Sequence, residues 1–292
     1  MKIAGRLLCF VAALPLAAQT APSAPEDPYV WLEEVTGDKA LAWVKARNAE
    51  STAEIAGAPG FQALHGDLLK ILDSKERIAS VSKHGEFYYN FWRDAKNPRG
   101  LWRRTTLAEY KKAEPTWDVV LDLDALGKAE KENWVWGSAQ FLRTGGHRHV
   151  LISLSRGGAD ARVVREFDMQ TRSFVKDGFQ LPESKGSVSW IDKDHLFVAT
   201  NFGPGTMTTS GYARQVKRWT RGTALSTAEL VFEGKDTDMS VGAHHDDTKG
   251  FERDFVQRTP AFFKGELYLR TAGGKLQRVD EPLSDGTASA LL

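Results

Sequence analysis

Residues 188–200 read Val-Ser-Trp-Ile-Asp-Lys-Asp-His-Leu-Phe-Val-Ala-Thr. Two apolar, β-prone runs, 188–191 and 196–200, flank Asp192-Lys193-Asp194, where a tight hairpin turn belongs. The same grammar extends in both directions. Upstream runs fall at 87–92, 101–106, 119–123, 150–154 and 163–167. Downstream runs fall at 216–219, 230–232, 255–258, 262–263, 267–270 and 276–279, with Lys264-Gly265 and Gly273-Gly274 as further turns. No long helix interrupts the chain from about residue 78 onward. That region is expected to be all-β.

The runs also group. Starts near Phe87, Val135, Val188 and Val241 recur roughly every 50 residues, within the range of a four-stranded propeller blade. Periodicity alone leaves a β-sandwich open, because no short repeat motif accompanies it. About four blades can be counted, and the fourth runs into the low-complexity end Ser284-Asp-Gly-Thr-Ala-Ser-Ala-Leu-Leu. The expectation is a mainly β chain, an incomplete β-propeller that is cut short.

Ahead of the strands lie two helices. Asp38 reads as an N-cap, followed by Leu41, Trp43, Val44 and an Ala-rich stretch through Ala53. After Pro59-Gly60, residues 61–72 place Leu64, Leu68, Leu69 and Leu72 on one helical face. Trp31 and Trp43 are expected to anchor this helical segment. At the extreme N-terminus, Lys2 and Arg6 precede an apolar run from Leu7 to Ala18 that is too short to span a bilayer, and Ala17-Ala18 offers a cleavage site. The domain expectations are therefore a signal peptide at 1–18, a Pro-rich spacer at 19–28, a helical segment at 29–77 and a partial propeller at 78–292. The expected location is periplasmic or secreted, with no membrane attachment after signal cleavage.

Composition narrows the chemistry. Lys plus Arg number 39 against 38 Asp plus Glu, so no basic excess marks a nucleic-acid footprint. Removing Lys2 and Arg6 with the signal leaves 37 basic residues. The single cysteine, Cys9, lies inside the signal, so the mature chain would have neither a cysteine nucleophile nor thiolate ligands.

Individual motifs resolve mostly into scaffold. An α/β-hydrolase nucleophile needs a strained elbow with glycines two residues either side of the serine. No serine here has both; Ser155 has Gly157 after it but Ser153 before it, and Ser187 follows Gly186 directly. His147 and His149 would share a face on a strand and could grip a metal, and His244-His245-Asp246-Asp247 gathers four candidate ligands. Adjacent histidines on a strand diverge, however, so loop and strand roles are the default. Asp236, Asp238, Asp246 and Asp247 lack the glycine and terminal Glu of a calcium loop. The basic stretch from Arg214 to Arg221, interleaved with Val216 and Trp219, reads as a strand with one wet face. Gly203-Pro-Gly-Thr is a turn without the Gly-Lys-Ser/Thr of a phosphate loop.

Several motifs in order carry a resemblance. Asp27-Pro-Tyr-Val-Trp-Leu-Glu-Glu-Val, with Trp43-Val and Asn48 downstream, resembles the start of serine peptidases of the prolyl oligopeptidase family. Ser155-Arg-Gly-Gly-Ala-Asp-Ala, Arg165-Glu-Phe-Asp, Phe174-Val-Lys-Asp-Gly-Phe, Thr209-Ser-Gly-Tyr-Ala-Arg and Lys217-Arg-Trp-Thr-Arg-Gly are similar to its bacterial members. Ala213 stands where many relatives have proline, a mild change in a turn. The resemblance implies a helical N-terminal segment, then a seven-bladed propeller that limits access to short peptides, then a C-terminal α/β-hydrolase domain holding the catalytic Ser, Asp and His. That hydrolase domain is the implied partner and is absent from this chain, of which about four of seven blades would be present. No catalytic, cofactor-binding or metal residue carries over, no cofactor is implied, and the chain alone is expected to be inert. Open blade edges and an uncovered helical face would leave it marginally stable. The alternatives are a non-catalytic periplasmic propeller that binds peptide or protein, and a truncated gene product.

Overall fold

The computed structural model describes residues 27–34 and 36–279. The expected signal peptide, most of the spacer, Cys9 and the low-complexity end lie outside the described residues. The chain divides into two compact units, parting between Leu69 and Lys70.

The first unit is helical, with a short 3-10 turn at Val30–Glu33, then α1 (Asp38–Ala56) and most of α2 (Phe61–Leu72), whose last turn crosses the boundary. Gly37 in extended conformation, not Asp38, occupies the cap position of α1. Asp38 is the first helical residue, where its charge still complements the helix dipole. Trp31 meets Trp43 edge-to-face at 6.2 Å between ring centroids, and the Lys39 ammonium lies 4.2 Å above the Trp31 ring. Those tryptophans tie the 3-10 turn to α1, but not as core anchors: Trp43 is exposed and Trp31 only half-buried. The face of α2 formed by Leu64, Leu68, Leu69 and Leu72 is exposed.

The second unit is mainly β. Its first blade holds β1 (Ser82–His84), β2 (Phe87–Asp94), β3 (Asn97–Thr106) and β4 (Asp118–Asp122). The second holds β5 (Trp134–Phe141), β6 (His149–Arg156) and β7 (Arg162–Asp168), with β8 (Ser173–Phe174) and β9 (Gln180–Ser184) both pairing β7. The third holds β10 (Ser187–Trp190), β11 (His195–Ala199), β12 (Gln215–Thr220) and β13 (Glu229–Glu233). The fourth holds β14 (Ser240–Asp246), β15 (Arg253–Ala261), β16 (Lys264–Arg270) and β17 (Leu276–Arg278). Along each blade the strands pair antiparallel with their neighbours in sequence, as in a meander, except that β9 returns to pair β7.

The blades start at residues 82, 134, 187 and 240, giving intervals of 52, 53 and 53 residues. Three starts fall within one residue of those read from the sequence. The first blade begins one strand earlier, because β1 is Ser-Lys-His and has no apolar residue to announce it.

Packing explains why the middle strands are continuously apolar. In β6, Val150, Ile152 and Leu154 face a core shared with Tyr89, Trp102 and Val120 of the first blade. Leu151, on the opposite face, joins Trp190, Leu196, Val198 and Trp219 of the third blade. In β11, Leu196 and Val198 face that second core, while Phe197 and Ala199 turn to Val216 and Val241 in a third core. Each core lies at a junction between successive blades. A strand sandwiched this way loses alternation, since both of its faces are buried. Stacked sheets sharing cores pairwise describe blades, which removes the sandwich alternative.

Three readings need correction. The region is not free of helix: α3 (Leu107–Tyr110) and α4 (Leu123–Glu130) interrupt it. The Asp122 carboxylate caps α4 by accepting from the Ala125 amide at 2.9 Å, so Leu123 opens a helix and does not end a strand. Residues 262–263 are not a strand either. Phe262 and Phe263 form the exposed hairpin turn, with Phe263 at φ 54°, and Lys264-Gly265 begins β16. Finally, Ala213 is no idle turn residue: it is buried, and its amide donates to the Lys185 carbonyl at 3.0 Å, a bond proline could not make.

Candidate functional site

The first strands of the blades approach one another. His84, at the end of β1, stacks on Phe141, at the end of β5, with centroids 4.1 Å apart. The Trp190 indole on β10 donates to the Gln140 carbonyl on β5 at 2.9 Å. Ser187 Oγ on β10 lies 3.1 Å from where a Cβ on Gly242 of β14 would stand. These contacts place β1, β5, β10 and β14 side by side, as the strands that wall a propeller's centre. At their C-terminal ends, Arg143 bridges to Asp247 at 2.8 Å, linking the loops that follow β5 and β14.

A cleft of about 540 Å³ opens between the second and third blades. Its polar wall is Ser138, Gln140, Ser153, Arg162, Ser187 and Thr200, and its apolar floor includes Leu151, Val164 and Leu181. Local sequence shapes it. The β5–β6 register shifts between Trp136 and Ser138, leaving Gly137 as an unpaired bulge. Arg162 reaches across from β7 so that its Nη1 lies 2.5 Å from the position a Gly137 Cβ would occupy, and the Ser153 carbonyl is 2.7 Å from the same point. Only glycine leaves room there. Among the described residues, Arg162 is the one charged group in the wall of this cleft.

Beside the cleft, the same two blades are joined by a buried ion pair. Glu166 on β7 is fully buried and accepts from Arg221 at 2.8 and 3.0 Å, from the Phe179 amide at 2.9 Å, and pairs with His149 Nδ1 at 2.8 Å. Burial pushes the Glu166 carboxyl up, but the Arg221 guanidinium and the Phe179 amide outweigh it and hold it below the usual carboxylate range.

The motifs singled out in the sequence disperse. His147 sits in a turn with φ 60°, while His149 opens β6 and serves Glu166, so the two do not share a strand face. His245 pairs with Asp254 at 2.8 Å, and His244 stacks on Phe255. Asp246 takes Arg253, Asp247 takes Arg143, and Asp238 is buried against Arg258. Among the described residues no group of three His, Cys, Asp or Glu side chains is arranged to hold a metal ion. Of the basic stretch, Arg214 pairs Glu233 and Arg221 pairs Glu166, so those charges are spent on blade contacts. Ser155 is buried within β6 and Ser187 opens β10. Gly203 lies in a turn closed by Thr206. A second cavity of about 550 Å³, lined by Trp92, Arg103 and Trp117, is occupied by its own cation: Arg103 lies between the two indoles at 4.4 and 4.2 Å, and burial pushes its pKa down to about 10.

The profile of the prolyl oligopeptidase N-terminal beta-propeller domain matches residues 17–251. The chain belongs to the prolyl oligopeptidase family. A Sinorhizobium fredii protein described as uncharacterized peptidase y4nA is 41% identical over 244 residues, covering 82% of this chain and 34% of that protein. Uncharacterized peptidase RP174 of Rickettsia prowazekii is 30% identical over 271 residues, 88% of this chain and 37% of its own length. The solved post-proline cleaving enzyme from Rickettsia typhi superposes with a TM-score of 0.79 at 28% identity, over 86% of this chain and 38% of that one. The chain therefore spans a little over a third of the length of the relatives it matches.

The sequence reading missed Arg162 and Gly137 as partners and Glu166 as a buried hub. One signal was available for the first: a lone glycine inside the strand Trp134-Val-Trp-Gly-Ser-Ala-Gln-Phe marks a bulge or a close approach.

Proposed function

We propose that this chain is the helical segment and propeller part of an exported serine endopeptidase that cleaves short peptides after proline. The observation that carries the reading is the convergence of β1, β5, β10 and β14 in a chain of the prolyl oligopeptidase family. A wall of closely spaced strands admits an extended peptide and turns away a folded protein. The propeller's task is thus admission, acting before the chemistry. The reaction would transfer an acyl group from the peptide bond to a serine and then to water, with the tetrahedral oxyanion held by fixed donors. On this reading those groups would lie in a further domain of the α/β-hydrolase kind, for which the relatives have the length to spare.

The export reading rests on the charged start and short apolar run of residues 1–18. Within the 292 residues no Gly-x-Ser-x-Gly elbow occurs, which supports an inert propeller part. The test is a turnover assay of the purified 292-residue chain with a short proline-containing chromogenic peptide. No turnover above a mock preparation is expected; cleavage after proline by this chain alone would overturn the assignment.

A further inference from the structure

We propose that the cleft between the second and third blades is a carboxylate-binding site, in which Arg162 receives the C-terminal carboxylate of a short peptide. The inference rests on the peptide-admitting reading above and adds the group by which the peptide is held.

The argument begins with charge. The neighbouring arginines are committed: Arg156 pairs Glu132 and Glu183, Arg165 pairs Glu130, Arg214 pairs Glu233 and Arg221 pairs Glu166. The nearby acids Asp160 and Glu183 are engaged by Lys185 and Arg156. Among the described residues no Asp or Glu lines the cleft, so Arg162 projects a positive charge into a space that holds no counter-charge. A guanidinium placed this way is a receptor for an anion brought from outside.

Geometry then selects the anion. The guanidinium lies over the Gly137 bulge, a position that exists only because that residue has no Cβ. Ser138, Ser153, Ser187 and Thr200 line the same cleft with hydroxyl-bearing side chains, and Gln140 adds an amide. One planar fork with hydroxyl donors matches a carboxylate, which takes two parallel bonds; a phosphate dianion would call for more positive charge than one arginine offers. The floor of Leu151, Val164, Leu181 and Val188 lowers the local dielectric and suits the apolar part of a peptide. The volume lies within the about 300–1,000 Å³ typical of small-ligand sites. Arg162 is a binding residue here and has no part in bond cleavage.

The test is isothermal titration calorimetry of the 292-residue chain with Ala-Ala-Pro-Ala as the free acid, the same peptide as its C-terminal amide, and inorganic phosphate. The free acid is expected to bind about tenfold or more tighter than the amide, the size of one charge-assisted contact. Arg162→Gln should erase that preference and Arg162→Lys should keep part of it, each checked for a thermal midpoint close to that of the parent. If Arg162→Gln fails to fold, the Arg162→Lys comparison and the loss of the acid preference in high salt carry the test. Equal binding of acid and amide, no binding of either, or phosphate binding tighter than the acid would overturn the proposal. Each of those outcomes leaves the propeller assignment standing, whereas that assignment fails on turnover by the chain alone, a readout separate from the acid-over-amide preference.

Discussion

Arg221 and Glu166 form a two-pronged ion pair, 2.8 and 3.0 Å, between the end of β12 in the third blade and β7 in the second. Glu166 has no exposed surface, and Arg221 also stacks over Phe179 with its guanidinium 4.4 Å from the ring. The pair sets the register of two blades whose shared core is apolar and non-directional.

Removing one partner of such a pair strands a buried charge. Arg221→Ala is therefore expected to cost about 3–5 kcal/mol of stability, and adding Glu166→Gln should restore part of the loss. Urea unfolding of the two variants beside the parent measures it. An Arg221→Ala protein as stable as the parent would show that the pair is dispensable.

Acid should weaken the fold through two half-buried histidines, His84 and His244. Burial, then His147 and Arg143, push the pKa of His84 below its ordinary 6.5, and burial pushes His244 down as well, against the opposing pull of Asp246. The unfolded chain then binds more protons than the folded one, so stability is full above about pH 6.5 and falls as pH drops toward the folded values. Urea midpoints at about pH 7.5 and about pH 5.5, either side of the ordinary histidine value, should show this decline. His84→Phe, which keeps the stack on Phe141, should reduce it. A midpoint that rises on acidification would contradict the assignment of both histidines.

The blade architecture was legible in the sequence because its signals are local. Apolar runs, turn residues and a period of roughly 50 residues can be read without knowing what packs on what. The run Leu196-Phe-Val-Ala is uninterrupted because its two faces enter different cores, and that too was present in the pattern. Helix α4 escaped because it is short and follows directly from β4, so Leu123 looked like one more strand residue. Phe262 and Phe263 escaped because aromatics favour strands, yet here they form the turn while the glycine beside them lies in β16. The cleft was less legible still. An arginine beginning a strand reads as a solvated charge. That Arg162 crosses to a bulge, and that neighbouring acids are taken, depends on residues brought together only by the fold.

We propose this chain as the admitting part of a proline-directed serine peptidase. The most direct measurement is immunocapture with an antibody to this chain from an extract of the source cells. The captured species is resolved by size and assayed with a short proline-containing chromogenic peptide. The expected species is a polypeptide about two and a half times the length of this chain, since 244 residues make up 34% of one relative and 271 residues 37% of another. That polypeptide should cleave after proline and be silenced by a serine-directed phosphonylating reagent. A captured species no longer than this chain, with no cleavage, would contradict it.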